Sequence, residues 1–195
     1  MMAGHRAAGR FTASTATLGR VLAAASRSDS GGELLAEDLH RVIEDKGGAP
    51  GYMVALNMML SAPEAVYAPD FLIGLAGRLE SRNPNSMIPP TMHFINGQAG
   101  TSDPLPGVLT ALSNNPEAAL GFLEPGGGTA DDAARVEGLM KRGELGDNSW
   151  TDIWARLAER ASASHAAEYA PDAGSGSAGA KGAAALSASV VNTIG

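Results

Sequence analysis

Histidine is the side chain whose unperturbed proton exchange lies nearest neutral pH, so the places of the chain's four histidines bound its acid–base chemistry. Glu37, His40 and Glu44 fall at i, i+3 and i+7 of one periodic stretch, which on a helix puts all three on one face, within reach of a single metal ion. His165 and Glu168 repeat the i, i+3 spacing. Such pairs are equally ordinary on solvated helices, and a metal centre needs more converging ligands, so no metal or other cofactor is expected. His93 stands in a proline-rich stretch near Asn96 and Asp103 and is the candidate catalytic base, with Ser102 as a nucleophile for it to activate. A histidine satisfied structurally by its loop is the plainer reading. Gly126-Gly127-Gly128 runs into Thr129 and acids rather than the lysine a phosphate cradle requires, so it reads as a helix stop and turn. Nucleophile elbow, P-loop, zinc-protease helix and a G-x-G-x-x-G placed after a strand are all missing from the sequence.

The other residues that stand out are apolar. Trp150 and Trp154 are four apart in a chain where aromatics make up 5%, and they read as core or interface anchors rather than a ligand cage. Met53 and Met59 bound a methionine-rich run that suits either an ordinary core or an adaptable binding face. Met53, Met59, Trp150 and Trp154 are therefore the candidate interaction residues.

The elements that must position these residues are helical. Residues 1–12 show no apolar period and read as poorly ordered, whereas Ala13 to Ser26 carries Leu18, Val21, Leu22 and Ala25 at helical spacing. Glu33 to Lys46 is amphipathic, with Leu35, Leu39, Val42 and Ile43 on its apolar side. Pro50 and Pro69 each open a further helix, since a first-turn proline lacks only an N–H that would have no intrahelical partner. Met53, Leu56, Met59 and Leu60 line the first of these helices, and Phe71, Leu72, Leu75 and Leu79 the second. The step Tyr67-Ala68 reads as a staple before the latter. Asn83 to Thr101 holds three prolines and reads as a long ordered loop, even at its most strand-like part, Met92–Ile95.

Asp103-Pro104 and Asn115-Pro116 start two short helices, and the Ser113-Asn114-Asn115 break marks a sharp corner that an asparagine cap or left-handed residue would make. Thr129 with Asp132 forms an aspartate version of the capping box ahead of Ala130–Arg142, and Trp150–Ser162 follows. The expected fold is all-α, an irregular bundle of about seven short to medium helices with one long ordered loop. Its expected parts are a basic N-terminal arm with a helix over 1–30, a helical domain over 31–170, and a Gly/Ser/Ala linker with room for one more helix over 171–195.

Bulk composition narrows the partners. Residues 1–28 contain four arginines and no acid, while the whole chain carries a net charge of −7. An acidic body argues against nucleic acid, because phosphate binding needs a basic surface. No apolar run reaches the ~18–20 residues needed to span a bilayer. Cysteine is absent, so disulfides and thiolate metal sites are excluded and the compartment stays open. The basic, Ser/Thr-rich start has the composition of a transit peptide as well as of a terminal arm, and location is read as cytoplasmic or secreted without a conventional signal peptide.

The run Pro69–Leu79, the Asp103-Pro104-Leu105 step, Ala111 to Ala119 and Phe122-Leu123 resemble an actinobacterial family of large uncharacterised proteins that accompany WXG-type, type VII secretion and toxin-related genes. The stretch from Ala161 to Val191 is similar as well, so the resemblance covers residues 50–195. It implies no established activity and no catalytic residues. The resulting expectation is a non-enzymatic interaction or structural module with a protein partner or self-assembly, within a secreted effector or secretion-associated protein. Two alternatives remain: a subunit of a phage-like or other large particle, and an enzyme or toxin-fragment domain with its site in the 83–103 loop.

Overall fold

The computed structural model describes residues 2–28, 31–45, 50–81, 93–95, 98–100, 103–125, 129–142 and 148–166, with backbone alone at 2–11, 50, 93–95, 98–100, 142, 148–150 and 164–166. In chain order the elements are α1 (Met2–Ser26), α2 (Gly32–Asp45), α3 (Pro50–Leu60), α4 (Pro69–Glu80), β1 (His93–Ile95), β2 (Gln98–Gly100), α5 (Leu105–Leu112), α6 (Pro116–Leu123), α7 (Ala130–Arg142) and α8 (Asn148–Ala166). The fold is all-α, with eight helices among the described residues where patterning predicts about seven. The candidate linker and last helix, 171–195, lie outside the described residues, as does Gly126-Gly127-Gly128.

Two sequence expectations fail at the ends of elements. The first helix begins at Met2 rather than Ala13. A helix needs propensity, not amphipathicity, and Ala3, Arg6, Ala7, Ala8 and Arg10 extend one cheaply once its packed half has nucleated. The second failure is Met92–Ile95, read as loop. His93–Ile95 pairs antiparallel with Gln98–Gly100 in the register His93↔Gly100, Phe94↔Ala99 and Ile95↔Gln98. The two intervening residues are Asn-Gly in sequence, the strongest short hairpin signal there is.

The chain divides into two compact units, Met1–Ala111 and Leu112–Gly195. In the first unit α2 packs on α4, α1 packs on α3, and β1 lies beside α3. Glycines set the α2–α4 approach. A Cβ on Gly32 would run into the Asp70 carboxylate, and one on Gly74 would stand 2.7 Å from Glu33 Oε2. The Arg78–Glu33 ion pair, 2.6 Å, links the same two helices. This approach turns α2 away from its expected apolar stripe: Ala36 and Ile43 are fully buried, Leu35 and Leu39 half-buried, and Val42 exposed.

Polar side chains tie the first unit together where helices end. Ala68 stands at the N-cap of α4 without a capping side chain. Its N–H is taken instead by buried Ser26 Oγ at 3.0 Å, and that hydroxyl donates to Ala23 O at 2.8 Å. The Tyr67 hydroxyl donates to Met59 O at 2.9 Å, and its ring stacks on Phe71 with centroids 5.5 Å apart, which realises the expected staple. Burial pushes the Tyr67 hydroxyl pKa well up. Asn57 bridges α3 to α5, its Nδ2 donating to Asp103 O at 2.6 Å and its Oδ1 accepting from Gly107 N at 2.9 Å. Asp103 Oδ1 accepts from Leu105 N at 3.0 Å, the cap that the Asp-Pro step predicts.

In the second unit α6 packs on α8. Asn115 caps α6 by accepting from Ala118 N at 3.2 Å, with φ −130° and Pro116 following, so the cap and an extended backbone make the corner, not a left-handed Asn115. Thr129 and Asp132 form the capping box: Thr129 N donates to Asp132 Oδ2 at 2.9 Å and Asp132 N to Thr129 Oγ1 at 3.3 Å. The core gathers Phe122, Leu123, Val136, Leu157 and Trp154. Arg135 lies over the Phe122 ring, 4.7 Å from its centroid, and donates to Phe122 O.

Candidate interaction surface

The helix α1 is built inside out. Among its described side chains, residues 12–26, the buried positions are Thr15, Gly19, Ala23 and Ser26, which share the face turned towards the unit. Gly19 explains the choice: a Cβ there would sit 2.5 Å from Met59 O and 3.2 Å from Ala62 Cβ, so only glycine lets α1 approach α3 this closely. The consequence corrects the expected stripe. Leu18 is 54% and Val21 62% exposed, Ala25 is exposed and Leu22 half-buried. Leu18, Val21 and Ala25 follow one another at spacings of three and four along the outward face, the spacing of a helix–helix seam. Arg20 and, just past the helix end, Arg27 are exposed as well, and Arg20 pairs with Glu64 at 2.9 Å.

The outward face of α2 has the opposite charge. Leu34 is 61% and Val42 38% exposed. Around them stand Glu37, Asp38, Glu44 and Asp45, with Arg41 pairing to Asp38 at 3.0 Å and to Glu37 at 3.5 Å. These pairs are open to water, where an ion pair contributes about 0–1 kcal/mol and exchanges readily.

The candidates picked from sequence separate clearly. Met53 is fully buried, Met59 half-buried and Trp154 1% exposed, so Met53 and Trp154 pack the interiors of their own units and present no surface to a partner. The side chains of Trp150, His93 and His165 lie outside the described residues, as do Ser102, Glu168 and the 83–92 part of the loop. Of the proposed metal face, His40 Nε2 stands 3.9 Å from Glu44 Oε1 while Glu37 turns to Arg41. No group of three or more metal-ligating side chains converges among the described residues. Among the same residues no helix is long and apolar enough to cross a membrane. Two further titrations are displaced: burial raises the Tyr52 pKa, and the Lys141 ammonium, hydrogen-bonded to Glu137, lowers that carboxyl. Sequence reasoning missed the outward faces of α1 and α2 because it assigned their large apolar residues to the core.

The model of a family of unknown function (DUF6571) matches residues 5–195. The chain belongs to this family. The match takes in α1 from residue 5, beyond the 50–195 resemblance. No curated protein and no solved structure matches the chain.

Proposed function

We propose that the chain is a non-enzymatic helical interaction module whose α1 presents the face that a protein partner meets. The observation that carries this reading is the inversion of α1, with threonine, glycine, alanine and serine packed inward and Leu18 and Val21 turned to solvent. Burying each of those side chains would be favourable by about 1.5–3 kcal/mol in full, so a fold concerned only with stability gains by the opposite register. The similarity of Pro69–Leu79 and Asp103–Leu123 to actinobacterial proteins that accompany type VII secretion genes supports a setting in a secretion-associated protein.

Site-specific photo-crosslinking in the native host tests the reading. A crosslinker at Val21 is expected to give a discrete protein adduct, and one at exposed Ala134 on α7 to give none. The reading fails if Val21 gives no adduct. It also fails if the purified chain turns over a substrate and loses that activity on His93→Ala with its helicity intact.

A further inference from the structure

We draw no further inference here: the strongest candidate, the outward face of α1 with exposed Leu18, Val21 and Ala25, is an unpartnered apolar surface, and nothing in the structure shows what covers it.

Discussion

Asn57 offers the sharpest test of how the first unit is held together. Its amide lies between Asp103 O and Gly107 N, the pair four residues apart that would otherwise close the first hydrogen bond of α5. The side chain therefore acts as an inserted peptide group, accepting where a carbonyl would accept and donating where an N–H would donate. Gly107 makes room for it, since a Cβ there would stand 2.5 Å from Asn57 Oδ1 and 2.7 Å from Asn57 Cα. Asn57→Leu keeps much of the volume and removes both bonds, leaving the buried Gly107 N–H to lose its acceptor. At about 1 kcal/mol for each bond and 1–3 kcal/mol for a stranded buried donor, the loss is about 2–4 kcal/mol. For a unit near 100 residues that is a fall of roughly 10 °C or more in Tm. Urea unfolding followed by far-ultraviolet circular dichroism measures it. Tryptophan fluorescence serves as an internal control, because Trp150 and Trp154 both belong to the second unit.

Asn57→Asp sharpens the test through its sign. The carboxylate keeps the acceptor for Gly107 but meets Asp103 O without a proton, whereas the protonated acid restores the donor. Its folded pKa is thus raised above the ~3.9 of an unfolded aspartate, so the deficit relative to wild type is full at neutral pH and shrinks as pH falls through the carboxyl range. A leucine variant within ~0.5 kcal/mol of wild type, together with an aspartate variant whose deficit is flat with pH, would refute the bridging role; surface substitutions normally fall in that range.

Four further substitutions test the packing of the helices. Gly19→Ala gains up to about 1 kcal/mol of helix propensity but drives a Cβ against Met59 O, so a net loss of about 1–3 kcal/mol is expected by urea titration, whereas Gly138→Ala on α7, with nothing within 4 Å, should gain about 0.5–1 kcal/mol. Ser26→Ala removes the acceptor of the buried Ala68 N–H and should lower stability by about 1–3 kcal/mol, with early amide exchange at the start of α4. Tyr67 has a folded pKa raised above its ordinary value of 10.0, so the stability its neutral hydroxyl supplies is complete below that pH and is lost above it. Tyr67→Phe should therefore be less stable than wild type at pH 7 and close the gap as the pH climbs past 10.

The elements were legible because their signals are local. Prolines 50, 69 and 116 stand at the first positions of α3, α4 and α6, and Asn115 and the Thr129–Asp132 pair cap by contacts within four residues. The faces of α1 and α2 were not legible, because which side of a helix turns inward depends on how close its neighbour comes. Gly19 against Met59, and Gly32 against Asp70, are long-range facts that no window of sequence contains. Hydrophobic periodicity assumes that the largest apolar residues face the core, and close packing through glycine breaks that assumption. Asn57 left a faint trace as the one amide in a run of Met, Leu and Val, and Asn-Gly between two short apolar segments was the hairpin signal passed over.

The inverted packing of α1 makes stability and association separable on one helix. Thr15, Gly19, Ala23 and Ser26 fix how α1 sits on its own unit, and every one of them is buried. Leu18 and Val21 contribute little there, since each keeps more than half of its surface in water. If they served the fold, replacing them with glutamate would lower the unfolding free energy as Gly19→Ala does. If they serve a partner, the same replacement leaves the isolated chain's stability within ~0.5 kcal/mol and abolishes assembly, and the effects of inward and outward substitutions add without coupling. A measured coupling between Gly19→Ala and Val21→Glu beyond ~0.5 kcal/mol would mean that the two faces are not independent, and the outward leucine and valine would then belong to the fold after all.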